Sequence, residues 1–270
     1  MEPNLADSYS GWELAPGEPP VASITNRQSN APYVVIADHA GRAVPAALDQ
    51  LGLPDAALDQ HIAYDIGARE LAIAIGAALG APVVLANYSR LVIDVNRREH
   101  SSTLIPAVSD GLTIPGNAAL AEAQINARKQ LLLWPYHQAV AALLSEREAN
   151  ELFNCVISVH SFTPAMDGCA RPWDIGVLWD RDGGMAAPLI KHLRARGDLV
   201  VGDNEPYSAR GIEGYTMAAH AESRELPNAL FEVRQDLLGT AANIDRWSTI
   251  VCDAISALGD IRQLQAPNPS

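Results

Sequence analysis

The chain has 270 residues, within the range of one α/β enzyme core, and 48% of them are hydrophobic, so a sizeable core can be buried. A formal net charge of −13 argues against a nucleic-acid partner, which needs clustered Lys and Arg, and means that an anionic ligand must be met by local arginines. Cys155, Cys169 and Cys252 have no CxxC spacing, the N-terminus lacks an export signal, and no apolar run approaches about 18 residues, so the sequence predicts a cytoplasmic protein with no membrane span.

In chain order, residues 1–30 read as an extended arm, 31–264 as a single α/β hydrolase domain and 265–270 as a tail. YVVIA at 33–37 is a β-rich run, and 61–80 carries a helical pattern closed by Gly80. PVVLANY (82–88) is the next strand, and LVIDVN (91–96) reads as further extended structure. Residues 117–148 are helical with an interruption near Pro135. Strands follow at 155–160 and 174–179, a helix at 185–196, strands at 198–204 and 229–235, and a closing helix at 239–258. This alternation predicts a mixed, mostly parallel sheet flanked by helices, with ligands bound beyond the carboxyl ends of its strands.

Polar residues sit at those ends. YVVIA runs into Asp38-His39-Ala40-Gly41, CVISV into His160-Ser161, and ALF into Glu232-Val233-Arg234, while Asp65 opens the helix after the first strand. A single histidine in such a place is ordinarily a hydrogen-bonded core residue, and an Asp there ordinarily caps a helix. Together they form a set. Two imidazoles and a carboxylate suffice for Zn²⁺ with an open fourth position, and a further carboxylate, Glu232, is positioned to move the water proton. No HExxH or CxxC is present; Cys155 reads as a small buried hydrophobe, and Ser161 has no triad partners.

The segments DHAG (38–41), DIGA (65–68), SRLVIDVNR (89–97), IPGN (114–117), HSFTP (160–164), RPWDIGVL (171–178), GDNEPYS (202–208) and FEVRQDL (231–237) together resemble the N-formylglutamate amidohydrolase family, from about Tyr33 to about Leu258. That family is similar in turn to zinc exopeptidases and their amidase relatives. The resemblance implies a zinc-exopeptidase-like (phosphorylase/hydrolase-like) fold. It also implies Zn²⁺, or another divalent metal such as Co²⁺, and hydrolysis of a small acidic N-acyl amino acid. N-formyl-L-glutamate, cleaved to glutamate and formate in histidine degradation, is the substrate it points to. It assigns the metal to His39, Asp65 and His160, with Asp38 as the alternative carboxylate, and the general base to Glu232. The family's usual Glu-His-Ala is Asp38-His39-Ala40 here.

An anionic substrate needs cations, and Arg90, Arg97, Arg171 and Arg234 all fall within these motifs, each alternatively the partner of a structural carboxylate such as Asp94 or Asp236. Asn96 and Tyr215 complete the predicted substrate set, and GDNEPYS either shapes the pocket or is a turn. His137 reads as structural, and His61, His100 and His192 as solvated or core residues. A related metallo-amidase or peptidase with another substrate, and a non-catalytic binding protein on the same scaffold, are the rival readings.

Overall fold

The computed structural model describes residues 13–181, 183–210 and 214–264, so residues 1–12 of the expected arm and the whole expected tail lie outside the described residues. The first strand is β1 (Ala22–Thr25), which falls inside the expected arm, followed by β2 (Tyr33–Ala37). Helices α1 (Asp55–Leu58) and α2 (Ala68–Leu79) lead to β3 (Val83–Ala86), and a small hairpin, β4 (Val108–Ser109) with β5 (Leu112–Thr113), comes next. Helices α3 (Glu122–Arg128) and α4 (Trp134–Ala149) precede β6 (Cys155–Phe162) and a second hairpin, β7 (Ala165–Met166) with β8 (Cys169–Ala170). The chain continues through β9 (Ile175–Leu178), α5 (Gly183–Ala195), β10 (Val201–Asp203), α6 (Thr216–His220), β11 (Asn228–Arg234) and α7 (Ala241–Ser256).

Seven strands form one sheet in the order β1-β3-β2-β6-β11-β9-β10. Strands β3, β2, β6 and β11 run parallel, whereas β1 and the pair β9–β10 run the other way. Side-chain alternation sorts the sheet into two buried faces. Val35, Ala37, Ile157, Val159, Phe231 and Val233 pack with α2, α5 and α7. Val34, Ile36 and Val156 pack on the opposite side with Tyr136, Val140 and Leu143 of α4. On this second face the residues turn polar toward the carboxyl edge: Val156 gives way to Ser158 and His160, and Leu230 to Glu232. The sheet therefore delivers its chemistry where one face stops being core.

Three local expectations change. LVIDVN at 91–96 forms buried turns rather than a strand. Its carbonyls are satisfied by side chains: Asn117 donates to Leu91 O at 2.8 Å and Arg128 to Val92 O at 2.9 Å, which removes the need for a ladder. The helix expected from residue 61 starts at Ala68, because Gly67 sits at φ +80°, outside helical geometry. The interruption expected near Pro135 is a wider, π-helical turn at Lys129–Leu133, just before the proline that lacks an N–H for the preceding turn.

Candidate active site

His160 on β6 and Glu232 on β11 are direct cross-strand partners in a parallel pair. His39 follows the end of β2, the neighbour of β6 on its other side. Asp65 reaches the same edge from the turn before α2. The Asp65 N–H donates to His39 O at 2.9 Å, and Ser161 Oγ donates to Ile66 O at 2.7 Å, so that turn is tied to two strand ends at once.

The imidazoles meet over Asp65. His160 Nδ1 lies 2.8 Å from Asp65 Oδ2, and His39 Nδ1 lies 3.4 Å from the same oxygen. The far side of each ring faces another carboxylate: His39 Nε2 is 2.7 Å from Asp94 Oδ1, and His160 Nε2 is 3.5 Å from Asp38 Oδ2. Both outer carboxylates are held in turn, Asp94 by Arg90 Nη2 at 2.7 Å and Asp38 by the Tyr136 hydroxyl, which donates at 2.5 Å. All these acids and histidines are buried. Burial opposes ionisation of Asp65, yet His39 and His160 outweigh it and hold its carboxyl well below the usual carboxylate range. At Asp94, too, Arg90 and His39 overcome burial and lower the carboxyl. Glu232 goes the other way: burial pushes its carboxyl up to about 7, with His160 partly opposing.

The residues fit a divalent metal. One ligand atom from each of His39, Asp65 and His160 lies within 4.8 Å of the others. His39 Nδ1 is buried without a hydrogen-bond partner while its other nitrogen is engaged by Asp94, the usual outer support of a metal-ligating imidazole. Two nitrogens and one carboxylate oxygen are a zinc-type donor set that leaves a coordination position open.

These groups line a cleft of about 580 Å³, together with Arg90, Asn96 and Arg97. Arg90 also reaches Asp65 Oδ1 at 3.4 Å, so its guanidinium spans two carboxylates of the site. Arg97 donates to Asn96 O and Thr103 Oγ1, at 3.1 and 3.2 Å. Asn96 Oδ1 accepts the backbone N–H groups of Tyr215 and Thr216, at 2.8 and 3.1 Å, and so ties the cleft to α6. Three expected substrate residues stand off the cleft wall. The Tyr215 ring packs edge-on against His137, with centroids 4.8 Å apart. Arg234 is paired with Asp236 at 2.8 Å and Asp174 at 3.3 Å. Arg171 does not line the cleft itself but donates to three residues that do, to Tyr207 Oη, Thr163 Oγ1 and Met166 Sδ, at 2.9, 3.2 and 2.6 Å.

His61, expected as a solvated or core residue, lines the cleft with Asp110 at 3.3 Å, and Asp94, expected only as a partner for an arginine, also engages His39. Nothing in the local spacing marks either. The GDNEPYS segment does reach the cleft, through Tyr207 and Ser208. It gets there because Gly176, the neighbour of Glu232 on β9, has no side chain: a Cβ at 176 would collide with Glu205 O, which crosses directly above it.

The N-formylglutamate amidohydrolase family matches residues 31–239 of this chain. The chain belongs to that family. It is accordingly a hydrolase acting on amide C–N bonds. As a family member it is similar in structure to gene product Atu2144 from Agrobacterium tumefaciens, at 29% identity and a TM-score of 0.88, over 92% of this chain and 100% of that one. It shares its fold with N-formylglutamate amidohydrolase from Ralstonia eutropha JMP134, at 19% identity and a TM-score of 0.62, over 90% and 98% of the two chains. None of the curated proteins matches the chain. Among the described residues, no helix is long and apolar enough to cross a membrane.

Proposed function

We propose that the protein hydrolyses the amide of a small N-acyl amino acid with a divalent metal held by His39, Asp65 and His160, N-formyl-L-glutamate being the substrate for which the family is named. The observation that carries this reading is a buried His-Asp-His ligand set sharing one cleft with the elevated carboxyl of Glu232. A divalent metal in that site supplies Lewis-acid polarisation of the scissile carbonyl and acidifies the attacking water.

The chain's own residues do the rest. Glu232 removes the proton from the attacking water and returns it to the leaving nitrogen; it lines the cleft as the direct cross-strand partner of His160, which places its carboxyl beside the metal ligands. Asp94, backed by Arg90, fixes the His39 ring, and Asp38, backed by Tyr136, faces His160. Arg97 on the cleft wall receives the substrate carboxylate, and Asn96 holds α6 against that wall. Arg171 supports the cleft wall at Tyr207.

The test is release of free amino acid from N-formyl-L-glutamate and other N-acyl amino acids, with protein exhaustively chelated and then reloaded with Zn²⁺ or Co²⁺. Hydrolysis restored by metal is the expected result. Full turnover in chelated, metal-free protein sinks the metal's role, and no amide cleaved by loaded protein sinks the reading itself.

A further inference from the structure

Arg171 differs from the other arginines near the site in what it touches. Arg90 and Arg234 are paired with carboxylates, whereas among the described residues Arg171 meets none. Its three acceptors are neutral: the hydroxyls of Thr163 and Tyr207 and the thioether of Met166, the last a weak acceptor. The guanidinium also lies over two rings, 4.8 Å from the Tyr207 centroid and 6.0 Å from that of Phe162. All four of these residues line the cleft that holds Glu232. A cation without an anion of its own thus stands one hydrogen bond away from the cleft. On a chain of net charge −13, an anionic ligand needs such a local cation.

Tyr207 carries the influence of that charge into the cleft. Its oxygen accepts from Arg171 Nη1, so its own O–H is directed to another partner, and among the described residues it has none. Donation from a guanidinium polarises the phenol and makes the O–H a stronger donor. Burial and the Glu232 carboxylate raise the hydroxyl's pKa, with Arg171 opposing, so the group keeps its proton at neutral pH. The fold fixes its place as well: Glu205 O crosses directly above Gly176, the β9 neighbour of Glu232, and Tyr207 follows two residues later.

We infer that Tyr207 binds one carboxylate of a dicarboxylic N-acyl amino acid through its O–H, and that Arg171 is the positioning residue that holds the hydroxyl and supplies the positive charge behind it. The other carboxylate is the one assigned to Arg97 above, so the inference rests on the amide hydrolysis already proposed for this cleft. Tyr207 is then a determinant of specificity. A carboxylate accepts strongly from a hydroxyl backed by a guanidinium, and the neutral carboxamide of the same shape accepts less strongly and gains nothing from the charge.

The experiment compares N-formyl-L-glutamate with its two half-amides: N-formyl-L-glutamine, which lacks the side-chain carboxylate, and N-formyl-L-isoglutamine, which lacks the α-carboxylate. Kinetics are measured on metal-loaded full-length wild type, Tyr207→Phe, Arg171→Gln and Arg171→Lys. Binding is measured separately by calorimetric titration, with each change placed in the metal-loaded Glu232→Gln protein. Tyr207→Phe is expected to raise the KM for N-formyl-L-glutamate about tenfold or more, as loss of a hydrogen bond to a charged group does, with the loss falling on KM rather than kcat. That penalty should shrink severalfold for one of the half-amides, and which one identifies the carboxylate that Tyr207 holds. Arg171→Gln should show the same selective loss, and Arg171→Lys should recover part of it. The selective penalty appearing in the titrations, with no turnover by any of the proteins, keeps this assignment and sinks the hydrolase reading instead. Equal penalties on all three compounds, a loss confined to kcat, a wild-type KM in Tyr207→Phe, or no binding of N-formyl-L-glutamate by the Glu232→Gln protein overturns the proposal.

Discussion

Asp65 Oδ2 is shared by two imidazoles, 2.8 Å from His160 Nδ1 and 3.4 Å from His39 Nδ1, in a pocket where all three residues are buried. A cation among them gives His39 Nδ1, which reaches Asp65 only at 3.4 Å and without a hydrogen bond, a close partner and balances the carboxylate. The purified protein is therefore expected to carry about one divalent ion per chain, measured by elemental analysis. Loading should also raise the melting temperature, because the ion binds the folded state alone, and His160→Ala should lose both the ion and that rise. Equal melting of loaded and chelated wild type counts against a built site.

Glu232→Gln keeps the shape of the side chain but cannot accept a proton. Turnover should fall by about 10²–10⁴-fold, while metal content and melting temperature stay close to wild type. A lower melting temperature with an unchanged rate per folded molecule assigns Glu232 a structural role instead.

Asp94→Asn tests the support behind His39. The amide no longer presents an anionic oxygen to His39 Nε2, and Arg90 loses its charged partner. Loss of an outer partner of a metal ligand typically weakens metal binding by about 10–100-fold, and competition against a chelator of known affinity measures the change. Wild-type affinity in this variant removes Asp94 from the metal's support.

The paired histidines behind the cleft carry a prediction about acid. His137 Nε2 faces the Val95 carbonyl at 2.8 Å and so donates to it, which makes Nδ1 an acceptor for His220 Nε2, also at 2.8 Å. His220 Nδ1 is then buried without a partner, and burial, with His137 and Arg224 adding to it, lowers this imidazole to about 4. A depressed histidine contributes stability that is present above its unfolded value and lost as pH falls toward the folded one. Wild-type stability should therefore decline between about pH 6.5 and 4, and His220→Gln should flatten that decline. Thermal melts of both proteins at pH 7.5, 5.5 and 4.5 check it; parallel curves rule the pair out as a source of acid sensitivity.

Apolar runs identified most of the sheet, because a fully buried strand such as Cys155–Phe162 leaves little else for its residues to be. The strand ends carrying His39, His160 and Glu232 were legible for the same reason: a polar residue closing an apolar run has to face something. LVIDVN misled because its composition is that of a strand, while Asn117 and Arg128, 26 and 36 residues away, supply its hydrogen bonds. The reach of Arg234 to Asp174 depends on β11 running antiparallel to β9, and no local pattern encodes that pairing. His61 and Asp110 meet only once two loops have folded over the cleft, so their partnership has no signature in spacing.

Gly176 separates two properties of this enzyme that are often entangled. The residue stands beside Glu232 yet contributes no atom to the chemistry; its bare backbone is what allows the Glu205 carbonyl to cross β9 and bring Tyr207 down to the cleft. A methyl group there displaces that crossing outward, whereas the register that joins β2 to β6, and with it the places of His39 and His160, does not involve β9. The shape of this cleft can therefore change, under selection or by engineering, through a position that carries neither the proposed metal ligands nor the proposed base.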